Sequence, residues 1–285
     1  MPASPSHESE CPASRPRRLD AVLVARELAR SREHAVSEIK AGKVTVNGAV
    51  AKKPALPVSS DAEIVVTGSD EPAWASRGAY KLLGALEQFE PAGLSLQGKK
   101  ILDAGASTGG FTDVCLQRGA TEVIAADVGR DQLLPRLRQH PRVSVREQLN
   151  LRYLTSADTN GYCDAMVGDL SFISWRLVLP AIVEVLADGA DLLPMVKPQF
   201  EVGKQRLSKT GVVRSPELRA EVTLGVAEFA AELGLSTVAA GASPLPGPNG
   251  NVEYFLWLTK DGGKQQPSGQ QLRELIRRAV QEGPQ

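Results

Sequence analysis

A glycine-rich stretch that follows a short apolar run constrains this chain most. Residues 103–112 read DAGASTGGFT, the preceding Lys100–Leu102 has the pattern of a short strand, and a helix is predicted to run on to about Arg118. Glycine lets the backbone approach a ligand closely, and the first turn of a helix presents free N–H groups. The same pattern also occurs as a plain strand-to-helix turn, so its surroundings must decide between the two.

Downstream of this loop, short apolar strands alternate with helices, which is typical of a parallel sheet covered by helices. Further strands are predicted at 123–126, 143–145, 165–168, 192–196, 237–240 and 253–258, with helices at 78–90, 132–138, 175–186 and 216–233. The last two strands are expected to form an antiparallel edge pair. The predicted fold class is α/β, with a Rossmann-like domain of seven strands.

The strand after the glycine loop ends at Asp127, where a carboxylate commonly accepts hydrogen bonds from ribose hydroxyls. The loop lacks both the GxGxxG arrangement of dinucleotide enzymes and the GKS or GKT of phosphate-binding loops. A nucleoside without phosphate therefore fits better than NAD or ATP. S-adenosylmethionine is such a ligand.

The region before this domain predicts a small α+β module. Apolar positions recur at helical spacing from Leu19 to Ile39, with Ser31 as the N-cap of a second helix, and 43–48 (KVTVNG) and 63–66 (EIVV) are short strands. We expect this module to span residues 17–67, a polar linker residues 68–76, and the larger domain residues 77–285. Residues 1–16, rich in proline and serine, are predicted to be a disordered tail.

Charge is unevenly distributed along a chain whose formal net charge is zero. Residues 15–53 contain ten lysines and arginines against four acids, which leaves the remainder acidic. A basic segment attracts polyanions because phosphate contacts release counterions and steer encounter. The segregation favours a nucleic acid partner, although a basic surface that is merely solvated is the alternative.

Other classes of protein are disfavoured. Cys11, Cys115 and Cys163 form no CxxC pair, which argues against a disulfide framework and a zinc site, and we expect no metal. No apolar run is long enough to cross a bilayer, and no secretory signal precedes the first module. The expected location is the cytoplasm.

Long stretches of the chain resemble a known family. They are RLD (18–20), SR (31–32), AGKV (41–44), VNG (46–48), SRGAYKL (76–82), DAGASTGGFTD (103–113), GDLSFIS (168–174), VKPQFEVGK (196–204) and PLPGPNGNVEYF (244–255). The first module is similar to S4-like RNA-binding domains, the second resembles FtsJ-type ribose methyltransferases, and the whole resembles the TlyA family. Proteins of that family have been called haemolysins, but its members are rRNA cytidine-2′-O-methyltransferases. The resemblance implies a class I methyltransferase fold and, as substrate, 16S and/or 23S rRNA in 30S and/or 50S subunits.

The family's catalytic set is Lys-Asp-Lys-Glu, which the resemblance carries onto Lys81, Asp169, Lys197 and Glu253. The last three lie at or near predicted strand ends, and ligands of open α/β sheets bind outside the carboxyl ends of the strands. A ribose hydroxyl is a poor nucleophile, so a lysine that accepts its proton or stabilises its alkoxide helps. We expect Lys197 to be that base, with Asp169 holding both Lys197 and the methionine end of the cofactor. Lys81 and Glu253 would orient the hydroxyl.

The resemblance also implies binding residues. For the cofactor they are Gly105, Ser107, Gly109, Phe111, Asp127, Asn150 and Asp169. The family usually reads GYGQL after the acidic position, whereas this chain has GRDQL, with Arg130 and Asp131 replacing an aromatic residue and a glycine. The candidates for phosphate contacts in the basic module are Arg18, Arg30, Arg32, Lys40 and Lys43.

Taken singly, these residues have ordinary explanations. A lone lysine or glutamate is usually a surface charge, Asp169 would also serve as a helix cap, and the basic loop 203–214 either closes over RNA or only connects two elements. Base methylation is disfavoured because DLSF (169–172) replaces the Asp/Asn-Pro-Pro-Tyr/Phe of exocyclic-amine methyltransferases, and Cys115 and Cys163 fit a core. Two rival functions are a non-enzymatic ribosome-binding factor and a membrane-lysing toxin. The complete catalytic set disfavours the first, and the lack of a membrane-active segment disfavours the second.

Overall fold

The computed structural model describes residues 17–26, 28–29, 32–59, 62–67, 74–247, 250–260 and 267–283. Contacts divide the chain into two units, residues 1–73 and 74–285. The predicted tail, residues 68–73 of the predicted linker, and the predicted positions Arg30 and Ser31 lie outside the described residues.

The described part of the first unit has the predicted α+β character. Its elements are β1 (Arg17–Arg18), α1 (Leu19–Ala25), α2 (Arg32–Lys40), β2 (Val44–Val46), β3 (Ala49–Val50), β4 (Pro57–Val58) and β5 (Ile64–Val66). Strand β2 pairs antiparallel with β3 and β5, and Asn47 and Gly48 both have positive φ (50° and 79°). A two-residue hairpin turn of the primed type requires that conformation, which is why Asn-Gly predicted the turn. Strands β1 and β4 were not predicted because two residues are too few for an alternating pattern.

A seven-stranded sheet forms the centre of the second unit. Its strands are β6 (Lys100–Ala104), β7 (Glu122–Ala126), β8 (Val143–Arg146), β9 (Cys163–Gly168), β10 (Leu186–Val196), β11 (Leu235–Ala242) and β12 (Tyr254–Lys260). Their order in the sheet is β11-β12-β10-β9-β6-β7-β8. The five strands β10, β9, β6, β7 and β8 are parallel to one another, and β12 is antiparallel to both of its neighbours, β10 and β11. All seven predicted strands and the antiparallel pair are confirmed.

Helices accompany this sheet. They are α3 (Gly78–Phe89), α4 (Gly110–Gln117), α5 (Pro135–Arg138), α6 (Leu179–Glu184), α7 (Pro198–Glu201), α8 (Pro216–Glu232) and α9 (Gly269–Glu282). The prediction of one helix over 175–186 was wrong, because a 3-10 turn precedes α6 and β10 already begins at Leu186. Helix α5 begins at Pro135, since proline suits the first helical position and lacks the N–H that an earlier start would use. Helix α9 was missed, although Ser268 and Gln271 form a capping box at its start.

Strand β12 illustrates how both faces of the sheet are buried. Phe255 and Trp257 pack in the apolar cluster that includes residues of α3 and α4, whereas Leu256 and Leu258 pack in the cluster that includes residues of α6, α8 and α9. All four side chains are fully buried. Successive side chains of a strand point to opposite faces, so helices must cover the sheet on both sides.

Helix α3 lies very close to the segment that follows β11. A Cβ added to Gly84 would lie only 2.4 Å from Cγ of Pro244. Glycine inside a helix normally costs about 1 kcal/mol relative to alanine. Here the close approach of the proline ring explains why glycine is present.

We predict that Gly84→Ala destabilises the protein by about 1–3 kcal/mol, because the added methyl group overpacks a tight contact. Gly269→Ala is the matched control, since Gly269 is also helical but no atom lies within 4 Å of its added Cβ. The control is expected to be neutral or slightly stabilising. Urea denaturation of the two variants measures the difference, and a Gly84→Ala protein as stable as wild type would contradict the close contact.

A carboxyl group is buried in the central strand β6. Asp103 is fully buried, its Oδ2 accepts a hydrogen bond from the Thr112 hydroxyl at 2.6 Å, and its Oδ1 has no hydrogen-bond partner among the described residues. Burial raises the pKa of Asp103 to about 7, although the hydrogen bond from Thr112 acts in the opposite direction. The folded protein therefore holds a proton here that the unfolded chain releases in mild acid.

This difference predicts a pH-dependent stability. Between an unfolded-state pKa of about 3.9 and the raised folded value, only the folded state binds the proton, so the free energy of unfolding falls as pH rises, by up to about 1.4 kcal/mol per pH unit. Asp103→Asn removes this dependence, so wild type should lose stability relative to the variant between about pH 4 and about pH 7.

Thermal or urea unfolding of both proteins across this range measures the effect. Asp188→Asn is the control, because the Asp188 side chain is 83% exposed and changes its surroundings little on unfolding. Parallel stability profiles for wild type and Asp103→Asn would show that Asp103 does not hold the proton.

Candidate active site

The ends of two parallel neighbours, β9 and β10, bring Asp169 and Lys197 together. Gly168 pairs with Pro194, so the residues that follow each strand leave the sheet at the same edge. The ammonium nitrogen Nζ of Lys197 lies 2.5 Å from Oδ1 of Asp169 and donates a hydrogen bond to the Ser171 hydroxyl at 2.9 Å. Lys197 is buried, so its cation is held by these partners rather than by bulk water.

A second lysine–carboxylate pair lies beside the end of β12. Lys81, in the first turn of α3, places Nζ 2.6 Å from Oε2 of Glu253, which directly precedes β12. Both residues are buried. Because Val196 pairs with Tyr254, Glu253 and Lys197 belong to neighbouring strand ends. The structure thus brings the four predicted catalytic residues to one edge as two ion pairs.

The Glu253 carboxylate keeps one oxygen free. Its Oε1 is buried and has no hydrogen-bond partner among the described residues. A Cβ added to Gly247 would lie 2.2 Å from this oxygen, so only glycine fits beside it. A buried acceptor without a donor is costly, and a hydroxyl group of a bound molecule would satisfy it.

The glycine loop lies directly against Asp169. Gly105 has a φ of +90°, and a Cβ added there would lie 2.8 Å from the Asp169 carbonyl oxygen. The backbone N–H of Asp169 donates to the Ala104 carbonyl. The predicted cofactor loop and the predicted catalytic carboxylate are therefore in backbone contact.

Asp127 and Asn150 lie at the same edge, after β7 and β8. Asp127 accepts hydrogen bonds from the backbone N–H groups of Ser107 at 2.9 Å and Gly129 at 2.6 Å, and each of its oxygens has a further lone pair for a ligand. The N–H of Leu149 donates to the Asp127 carbonyl, which joins the two loops. Asn150 is exposed and its Oδ1 accepts from the N–H of Arg152, which leaves its amide NH₂ for other partners.

Two predicted cofactor residues, Phe111 and Gly109, are buried in the core. The Phe111 ring is buried and stacks on Phe255, with the ring centroids 6.0 Å apart, so it packs in the core and not toward a ligand. Gly109 is buried too, and a Cβ added there would lie 2.3 Å from Leu137. In the GRDQL segment, which differs from the GYGQL of the family, Asp131 has a φ of +54°. This is the left-handed conformation that glycine adopts without strain.

Sequence reasoning missed three residues of this edge. Ser171 contacts Lys197, and Phe172 is 90% exposed with its ring centroid 5.1 Å from that of Phe200. Glu201 accepts hydrogen bonds from the Ser174 hydroxyl at 2.5 Å and the Trp175 N–H at 2.8 Å. Ser174, not Asp169, caps the following 3-10 turn. In the sequence, the one available signal is the aromatic Phe172 in the short segment after the predicted strand 165–168.

The described candidates for RNA binding in the first unit are on its surface. Arg32 and Lys40 are exposed, whereas Arg18 forms a double hydrogen bond with Asp20 and Lys43 lies 3.5 Å from Glu38. In the second unit, the Arg206 guanidinium pairs with Glu221, so this part of the loop 203–214 is tied to α8.

Among the described residues, no group of three or more histidine, cysteine or acidic side chains is arranged to hold a metal ion. In the same part of the chain, no helix is long and apolar enough to cross a membrane.

Comparisons with known proteins match both units of the chain. The model of the FtsJ-like methyltransferase family matches residues 74–260, and that of the S4 domain matches residues 17–64. The 16S/23S rRNA (cytidine-2′-O)-methyltransferase TlyA of Mycobacterium tuberculosis is 52% identical over 267 residues, covering 94% of this chain and 98% of that protein. The 23S rRNA (cytidine-2′-O)-methyltransferase TlyA of Campylobacter jejuni is 32% identical over 189 residues, 66% of this chain and 72% of that protein.

A solved structure from Streptococcus thermophilus, described as a candidate hemolysin, has a TM-score of 0.71 at 37% identity and covers 94% of this chain and 97% of its own. Together the two family models match both units, and the M. tuberculosis and S. thermophilus proteins each cover 94% of the chain. This chain therefore belongs to the TlyA family of FtsJ-like methyltransferases, in which an S4 domain precedes the catalytic domain.

Proposed function

We propose that this protein transfers a methyl group from S-adenosylmethionine to the ribose 2′-hydroxyl of a cytidine in 16S and/or 23S rRNA within ribosomal subunits. The observation that carries the proposal is the pair of lysine–carboxylate contacts, Lys197–Asp169 and Lys81–Glu253, at the carboxyl edge of the sheet. The substrate comes from the relatives whose names state it. The cytoplasm, where ribosomes are found, is the proposed location.

The residues around the glycine loop suit S-adenosylmethionine. Gly105 lets the glycine loop lie directly against Asp169, and Asp127 has lone pairs for two ribose hydroxyls. Asn150 offers an amide group toward an adenine edge. When bound, the cofactor supplies a methyl group on a positively charged sulfur, which is a good leaving group. Asp169 would hold its methionine end.

The catalytic work left to the protein is positioning and proton removal. Lys197 accepts the proton of the 2′-hydroxyl at Nζ, and Asp169 keeps that amine in place at 2.5 Å. Lys81 and Glu253 orient the hydroxyl, for which the partnerless Oε1 of Glu253 is a fitting acceptor. The exposed Phe172 ring offers a surface on which an unstacked base can stack.

The first unit supplies the attraction to RNA. We assign RNA binding to residues 17–67, joined through residues 68–76 to a catalytic domain at 77–285. Arg18, Arg30, Arg32, Lys40 and Lys43 are the proposed phosphate contacts. The family model of the S4 domain over residues 17–64 supports this assignment.

The test is to incubate 30S and 50S subunits with S-adenosylmethionine labelled on its methyl group and to map the modified nucleotide. Wild type is expected to label a cytidine ribose in at least one subunit. Lys197→Ala should reduce the rate by about 10²–10⁴-fold, because it removes the proton acceptor. Absence of label in both subunits would refute the proposal.

Lys99→Ala is a matched control for the loss of a lysine. Lys99 forms an equally short pair, 2.6 Å from Asp191, but it precedes β6 and so lies at the opposite edge of the sheet. This variant is expected to lose stability and to keep its methylation rate once folded. A Lys197→Ala protein that methylates at the wild-type rate would point instead to a site elsewhere.

A further inference from the structure

Ser171 lies beside the proposed base, Lys197. Its hydroxyl oxygen accepts a hydrogen bond from Nζ of Lys197 at 2.9 Å, and its side chain is exposed while that of Lys197 is buried. The Phe200 ring centroid lies 5.8 Å from the same nitrogen. The surroundings of the lysine nitrogen are therefore well defined.

The number of hydrogen bonds on the lysine nitrogen limits how it can act as a base. A neutral amine has two N–H bonds and one lone pair, arranged tetrahedrally with the Cε–Nζ bond. Ser171 accepts one N–H, and Oδ1 of Asp169 lies 2.5 Å from the same nitrogen. An amine that also turns its second N–H toward Asp169 leaves its lone pair a single direction. If only Asp169 accepts an N–H, the amine can rotate about the Cε–Nζ bond, and the lone pair can then occupy either of the two remaining directions.

We propose that Ser171 is a positioning residue that aims the lone pair of Lys197 at the ribose hydroxyl. The inference rests on the proposed function. In the transfer step, the 2′-oxygen forms a bond to the methyl carbon, the carbon–sulfur bond breaks with its electron pair passing to sulfur, and the hydroxyl proton moves to the Lys197 lone pair. Ser171 keeps its own proton throughout.

The segment that carries Ser171 is fixed at both ends. At its start, the Asp169 N–H donates to the Ala104 carbonyl, and at its end Glu201 accepts hydrogen bonds from Ser174 and Trp175. Between them, Phe172 has a φ of +63°, an unfavourable conformation for a bulky residue. Strain of this kind persists where surrounding contacts over-determine the backbone, and these contacts do so next to Lys197.

The experiment compares Ser171→Ala, Ser171→Thr and wild type in single-turnover methylation of whichever subunit wild type labels. Ser171→Ala is expected to lower the maximal rate by about 10–100-fold, the effect of one hydrogen bond to a reacting group. The KM for the subunit and the Kd for S-adenosylmethionine should stay within about twofold of wild type, because Ser171 acts on the amine alone. Ser171→Thr keeps a hydroxyl and should restore most of the rate.

A pH–rate profile separates aiming of the lone pair from a change in the protonation of the lysine. If Ser171 aims the amine, Ser171→Ala lowers the rate by the same factor at every pH tested, up to the highest. Ser156→Ala is the matched control, since Ser156 is an exposed serine in the segment that precedes β9 and should react at the wild-type rate.

Three results would overturn the inference: a Ser171→Ala protein with the wild-type rate, a deficit that disappears at high pH, or equal losses in the alanine and threonine variants with weakened cofactor binding. The last would show that Ser171 only maintains the loop. Failure of wild type itself to label either subunit would instead refute the proposed function.

Discussion

The pairing of β10 with β9 on one side and β12 on the other is the constraint on which the site depends. Three charged residues, Asp169, Lys197 and Glu253, directly follow or precede these strands. Their proximity needs no special loop, because the registers Pro194↔Gly168 and Val196↔Tyr254 bring the strand ends together. A shift of one residue in either register would reverse which face each side chain meets. The deeply buried, apolar β10 and β12 make such a shift costly.

Ion pairing by itself does not distinguish this edge from the rest of the molecule. At the opposite edge, Lys99 and Asp191 lie as close together, and the Trp257 indole N–H satisfies the second oxygen of Asp191. At the candidate site, by contrast, the second oxygen of Glu253 has no partner among the described residues. Buried pairs add little stability because desolvation offsets attraction. The open acceptor of Glu253, rather than the ion pair itself, is therefore what distinguishes the candidate site from the pair at the opposite edge.

Much of the sheet could be predicted from the sequence because each strand is a short apolar run bounded by polar or glycine-rich turns. The predicted strand ends also indicate that Asp169, Lys197 and Glu253 lie near one edge of the sheet. Ser171 and Glu201 could not be predicted in this way. Glu201 reaches Ser174 and Trp175 across a contact between separate segments, and no local pattern encodes it. For Phe111, the sequence motif predicted a contact with the cofactor, but its side chain is buried in the core.

The glycine loop and the proposed base are coupled through the backbone of Asp169. Gly105 approaches the Asp169 carbonyl too closely for any side chain, and the Asp169 N–H is held by Ala104. The carboxylate of the same residue holds Lys197 at 2.5 Å. One residue therefore sets the distance between the loop that would hold the methyl donor and the amine that would accept the proton. Because in-line transfer requires both partners to be aligned at once, this backbone contact explains why two motifs far apart in sequence act as one site.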